Sequence, residues 1–238
     1  MNLVELLLEP LFFPYARICQ VPSEVVLAAM IVFFKKWGKP QALRIDNGEP
    51  FGSPEPSTTS ALALCLIAYG VNVHTNKPHS PQQNGKVERQ QGTSIRWSEI
   101  EKCANMATAQ EHLDEACAIQ RERYPVSRLK GKTRLQVFPE LLDNQRPWLP
   151  EDFDTQRVYE FIAKKQYVRK VSSNGQITHF SQKLFVGLAY KAQYVSLKLN
   201  PFIVSWEVNT ANGQFIRSIK ASNLSKLRIK NLTAFSKN

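Results

Sequence analysis

Two carboxylates stand where they could hold a hard metal ion: Asp46, in Arg44-Ile45-Asp46-Asn47-Gly48, and Glu88, in Asn84-Gly85-Lys86-Val87-Glu88-Arg89. Mg2+ prefers oxygen ligands, keeps several waters and binds where one or two carboxylates meet substrate phosphate. Two such ions can stabilise the attacking and leaving oxygens of an in-line phosphoryl displacement. Each residue also has an ordinary reading. Asp46 suits an Asx turn before Gly48, and Glu88 suits the positive end of a helix dipole. The chain offers no constellation of Ser, Cys or Tyr with a base for nucleophilic catalysis. Cys19, Cys65, Cys103 and Cys117 stand alone, without the spacing that closes a zinc site, and read as reduced thiols of a cytosolic protein. His74 and His79 have no partner at metal spacing and read as structural or surface residues.

Stepping along the chain, the elements that would position these carboxylates follow from periodicity. Residues 24–37 carry Val25, Ala28, Ala29, Val32 and Phe33 at helical spacing, with Ser23 as N-cap and Gly38 as stop. Residues 41–46 read as a short buried strand, placing Asp46 at its C-terminal edge, where α/β proteins put their chemistry. A Pro- and Ser-rich loop at 49–56 leads to a helix over 58–69 closed by Gly70, then a strand over 71–75. Helix, strand, helix, strand predicts an α/β layered domain. After Pro78 and Pro81, an uninterrupted helical stretch from Lys86 to about Cys103 places Glu88 in its first turn. A further helix is expected over 107–123, with Leu113, Ala116, Cys117 and Gln120 on one side, and a shorter one over 135–142. The stretch 146–154 has two prolines and no periodicity and reads as a linker.

The formal net charge is +11 and the pI near 9.6, which calls for a polyanionic partner. It is unevenly spread. Residues 1–156 hold 17 Lys and Arg against 18 Asp and Glu, while 157–238 hold 14 against 2. In that basic segment the period switches to two, with strands expected at 167–171, 176–180, 194–199, 202–208 and 215–219 and primed hairpin turns at Asn174-Gly175 and Asn212-Gly213. Five short strands without a long helix imply a small antiparallel barrel, SH3-like or OB-like. Lys164, Lys165, Arg169, Lys170, Lys183, Lys191 and Lys198, interleaved with Tyr167, Tyr190 and Tyr194, are the candidate phosphate contacts. Neither a membrane span nor a secretion signal is indicated: the apolar stretch 25–34 is too short, and residues 1–10 contain Glu5 and Glu9.

The segment Trp37-Gly38-Lys39-Pro40, the strand ending in Asp46-Asn47-Gly48, the strand following Gly70, and Pro78-His79-Ser80-Pro81-Gln82-Gln83-Asn84-Gly85-Lys86-Val87-Glu88-Arg89 together resemble the integrase core of the retroviral-integrase superfamily, especially bacterial insertion-sequence transposases. The match covers about residues 12–100. The resemblance implies a ribonuclease H-like α/β core followed by a small all-β SH3-like barrel, and DNA strand transfer dependent on Mg2+ or Mn2+. It makes Asp46 and Glu88 the second and third members of a D-D-E metal-binding triad. Lys86 and Arg89, flanking Glu88, would contact the DNA backbone. The implied partners are double-stranded DNA, both transposon ends and target, and further copies of the chain, in a prokaryotic cytoplasm at the nucleoid, with no membrane and no small-molecule substrate.

Two departures shape the expectation. The 41 residues between Asp46 and Glu88 exceed the family's usual spacing, by a loop insertion that costs little. No Asp precedes Asp46, so the core is expected to be incomplete at its N-terminus, with Glu5 or Glu9 the remote substitutes, and the chain to be inactive alone. The expected organisation is a partial core over 1–105, a helical extension and linker over 106–156, a basic barrel over 157–228 and a basic tail over 229–238. The alternative to a strand-transfer enzyme is a non-catalytic DNA-binding or transposon-end assembly protein. A ribosomal or RNA-binding protein is a third reading, which leaves the Pro-to-Arg motif unexplained.

Overall fold

A computed structural model describes residues 22–45, 48, 51–53, 55, 57–76, 85–143 and 146–235. The chain is mixed α/β and forms two compact units. Unit 1 comprises residues 1–50 and 73–149, and unit 2 comprises 51–72 and 150–238. The boundary at 149/150 falls inside the Pro-rich stretch 146–154. Residues 51–72, read from sequence as part of the core over 1–105, group instead with the C-terminal segment.

Unit 1 opens with helix α1, Ser23–Trp37, which buries Val26, Met30, Phe33 and Phe34, the i, i+4, i+7, i+8 stripe of an amphipathic helix. Pro22, not Ser23, occupies the N-cap position, because its extended backbone lets its carbonyl accept from the N–H groups of Val25 and Val26. Gly38 stops the helix at φ 88°, donating its N–H to the Phe34 carbonyl at 2.9 Å. Phe34 packs on Trp148, ring centroids 5.7 Å apart, and Lys39 and Arg146 bond to each other's main chain, so residues 146–148 are tied into this unit. Strand β1, Ala42–Ile45, pairs with β2, Asn72–Thr75, and the Asn76 N–H donates to the Ile45 carbonyl at 3.1 Å.

Helix α3, Gly85–Ser98, ends five residues before the expected Cys103, because Glu99 takes a left-handed conformation (φ 45°) that helix geometry excludes. It packs against α4, Met106–Glu122, which presents Leu113, Ala116 and Gln120 as expected. The seam between them is polar: Gln90 donates to Gln120, Gln120 donates to Ser94 at 3.2 Å, and Arg134, from the one-turn helix α5 (Arg134–Val137), reaches Gln120 and Gln90.

In unit 2, helix α2, Ala61–Ala68, is apolar all round and buries Leu62 through Ala68, as such a helix must. It packs between α6, Thr155–Ala163, and α7, Lys226–Lys230. Ser60 caps its N-terminus, and its C-terminal carbonyl at Ala68 accepts from the Asp154 N–H and the Arg157 guanidinium, a cation where the helix dipole favours one. Strands β3 (Tyr167–Lys170), β6 (Tyr194–Asn200), β7 (Ser205–Thr210) and β8 (Phe215–Lys220) form an antiparallel sheet in the order β3-β6-β7-β8. Strands β4, Gln176–His179, and β5, Gln182–Phe185, form a separate antiparallel pair.

Three sequence expectations are corrected in unit 2. Strand β5 was not foreseen, because the turn before it is Phe180-Ser181, both left-handed (φ 49° and 55°) without glycine or asparagine to signal it. The strand expected over 202–208 begins only at Ser205, because the Asn200 side chain accepts from the N–H groups of Phe202 and Ile203 and folds them into a turn. Neither Asn174 nor Asn212 is left-handed, so the two Asn-Gly turns are not of the primed type I′ kind. Only their glycines have positive φ. At Gly175 an added Cβ would lie 2.8 Å from the Gly187 carbonyl carbon, so two main chains cross there with room for hydrogen alone. Among the described residues no helix is long and apolar enough to cross a membrane.

Candidate nucleic-acid interface

The basic side chains of unit 2 are positioned by a rigid aromatic interior. Tyr167, His179, Phe180 and Trp206 are buried and in mutual ring contact, with His179 and Trp206 centroids 4.4 Å apart and Phe180 stacked on Trp206 at 5.8 Å. Aromatic pairs of this kind stabilise by about 0.5–1.5 kcal/mol each beyond burial.

Glu55 fastens the strained turn at the edge of this cluster. Its carboxylate accepts from the Phe180 N–H at 2.8 Å and from the Ser181 N–H, the two left-handed residues. The Asn223 amide holds the Phe180 carbonyl at 2.5 Å. A non-glycine residue in the left-handed region costs about 1–2 kcal/mol, and charge-assisted hydrogen bonds from both N–H groups offset it. The Arg169 guanidinium lies 3.9 Å from Glu55 and donates to His179 Nδ1 at 3.1 Å.

Burial pushes the His179 pKa down more than the Glu55 carboxylate, 3.7 Å from Nδ1, pulls it up. Burial would push the Glu55 carboxyl up. Proximity to His179 and the N–H groups of Ser181 and Phe180 outweigh it, so the carboxyl stays below its ordinary value. His179 Nε2 has no hydrogen-bond partner among the described residues and lies in a ring surrounded by Tyr167, Phe180 and Trp206.

On the opposite face of the four-stranded sheet, alternation presents Val168 and Lys170 from β3, Tyr194, Ser196 and Lys198 from β6, and Glu207 from β7. Lys170 lies over the Tyr194 ring, 5.9 Å from its centroid, and both are exposed. Lys198 stands opposite Glu207, whose carboxylate accepts from the Asn200 amide at 2.8 Å.

The candidate contacts therefore divide. Lys170 and Lys198 share one sheet face. Lys183 is exposed on β5, Lys191 in the turn before β6, and Lys164 and Lys165 at the end of α6. Arg169 is not on this surface: its strand parity is that of buried Tyr167, and it points into the Glu55–His179 network. Sequence reasoning missed Glu55, which sits in a Pro-rich loop far along the chain from its partners. It also missed Arg217, an exposed cation on β8 that lies over Phe185 at 5.7 Å, and β8 has no regular alternation to signal it.

In unit 1, Arg89 is exposed on α3. Asp46, the residue after β1, lies outside the described residues. Lys86 and Glu88 belong to the α3 backbone, with side chains outside the description. Among the described residues, which include neither Asp46 nor the Glu88 side chain, no group of three or more His, Cys, Asp or Glu is placed to hold a metal ion. No protein-family model matches the chain.

Proposed function

We propose that this chain is a DNA-binding protein of integrase or transposase type, gripping double-stranded DNA through a unit 2 that amounts to a small SH3-like barrel. One observation carries the reading. Of residues 157–235, 13 are Lys or Arg and 2 are Asp or Glu, in a β-rich unit in which all six candidate lysines are exposed. Phosphate contacts of this sort release counterions and fix position without reading sequence.

The ribonuclease H-like assignment of unit 1, and with it strand transfer at transposon ends by homo-oligomers at the nucleoid, is the finer part of the proposal. It rests on the Asp46-Asn47-Gly48 and Gly85-Lys86-Val87-Glu88-Arg89 motifs. In that chemistry Asp46 and Glu88 would hold the Mg2+ or Mn2+, which lowers the barrier to attack on a phosphodiester.

The test has two arms. Fluorescence anisotropy with a labelled duplex should give binding that weakens steeply with salt and is unaffected by EDTA. Failure to bind at low salt refutes the reading. Supercoiled plasmid incubated with Mn2+ should stay intact if the chain serves only to bind. Nicking that disappears in Asp46→Ala would instead assign the chain itself as a strand-transfer enzyme.

A further inference from the structure

The turn between β6 and β7 carries the most exposed large apolar side chain among the described residues, Phe202 at 86%, with Ile203 at 65% beside it. It is not a loose loop. Asn200 Oδ1 accepts from the Phe202 and Ile203 N–H groups at 3.1 and 3.4 Å, while its amide donates to Glu207. Val204 is left-handed (φ 49°), and its carbonyl accepts from the Ala221 N–H at 3.0 Å, tying the turn to the chain beyond β8. Pro201 fixes φ at the entry. Two apolar side chains are thus held out into solvent by a braced main chain, at a cost in exposed apolar surface that the fold of unit 2 does not require.

The surroundings say what would cover them. Asn200, Ser205 and Lys220 are cross-strand neighbours in the row at the base of the turn, and Lys198, Glu207 and Ser218 form the next row of the same face. Lys198 and Lys220 are exposed, and Glu207, the acid among them, is engaged by Asn200. An apolar tip flanked by cations complements a base stack flanked by phosphates. A protein partner's apolar patch would match the tip and leave the cations unanswered.

We infer that Phe202 and Ile203 form a wedge that inserts between base pairs of the bound duplex, partly unstacking one step and kinking the DNA, while Lys198 and Lys220 hold the flanking phosphates. Apolar wedges act this way where a bent duplex can then meet more protein surface. The inference rests on the DNA-binding reading and adds to it a site and a deformation.

The full-length chain is titrated onto a duplex of about 30 base pairs carrying donor and acceptor dyes at its ends. Wild type should raise transfer efficiency. Phe202→Ala/Ile203→Ala should bind within about tenfold of wild-type affinity, since phosphate contacts carry most of it, and leave the duplex straight. Phe202→Leu, still an apolar wedge, should restore the bend. Wild type that binds without bending, or a double variant that bends DNA equally, overturns the wedge and leaves DNA binding standing. Wild type that binds no duplex overturns both. A wild-type dimer dissociated by the double variant, with no bend in either, would make the turn a contact between copies and overturns the wedge. If the double variant fails to fold, wild type alone decides: fluorescence of a 2-aminopurine duplex must rise on binding, and an unchanged signal overturns the wedge.

Discussion

Unit 1 and unit 2 solve the same problem, burying polar groups beside an apolar core, with different chemistry. Unit 1 uses amides, a hydroxyl and a guanidinium: Gln90, Ser94 and Gln120 bond along the α3–α4 seam, and Arg134 reaches Gln120 and Gln90. Unit 2 uses a carboxylate, a guanidinium and an imidazole around a strained turn. Their surfaces differ too, with 17 Lys and Arg against 14 Asp and Glu in unit 1 and 14 against 6 in unit 2. The Glu55 carboxylate buried beside His179 makes the stability of unit 2 depend on protonation. Unit 2 therefore carries both the excess of basic charge and a pH-sensitive network.

The largest effect should come from Trp206→Ala, which opens the centre of the aromatic cluster. A loss of about 3–5 kcal/mol is expected by urea denaturation, with hydrogen-exchange protection lost across β6, β7 and β8. Met30→Ala, in the buried stripe of α1, should cost about 2–5 kcal/mol, and the loss should be the same at pH 7 and pH 5. A pH-dependent Met30→Ala penalty would break the contrast between the units.

Glu55→Gln keeps the side-chain shape and removes the charge that holds the Phe180 and Ser181 N–H groups. Charged hydrogen bonds of this kind contribute about 1.5–3 kcal/mol, so the variant should be destabilised by that much at pH 7. The pH dependence has a definite sign. Glu55 has a lowered folded pKa, so its contribution is present above the ordinary carboxyl value of 4.5 and is lost as pH falls through the folded value. His179 is also lowered: below its ordinary 6.5 the unfolded chain takes up a proton that the folded chain resists, so stability falls from there downward. Hydrogen-exchange protection factors in β4 and β5 should fall below about pH 6.5 in wild type, and the Glu55→Gln penalty should vanish in strong acid.

The smallest stability change is expected for Lys170→Ala/Lys198→Ala, within about 0.5 kcal/mol, since both are exposed. Its readout is binding: the slope of log affinity against log salt should fall by about 2. A folded double variant with an unchanged slope would sever charge from binding.

Local pattern made several elements legible. Helix α4 and strands β3, β4 and β6 were visible because periodicity broadly agrees with their burial; α1 was legible as a helix, but its buried stripe is Val26, Met30, Phe33 and Phe34, and of the expected Val25, Ala28, Ala29, Val32 and Phe33 only Phe33 is buried. Strand β5 was not, because its turn is forced into the left-handed region by long-range bonds from Glu55 and Asn223, which leave no trace near Phe180-Ser181 in the sequence. Arg169 looked like a DNA contact by type, and only its strand parity with Tyr167 sends it inward. The carboxylates Asp46 and Glu88 were legible as a motif, a matter of spacing along the chain.

By itself, then, the sequence determined the charge asymmetry, the switch from helical to strand period and the candidate carboxylates, all properties of residue type and near-neighbour order. Tertiary structure decided which lysines face out, that residues 51–72 belong with the C-terminal segment, and that Phe202 and Ile203 stand in solvent on a braced turn. Those outcomes depend on hydrogen bonds between residues far apart in the chain, such as Glu55 to Phe180 and Asp154 to Ala68, whose energies no local window contains.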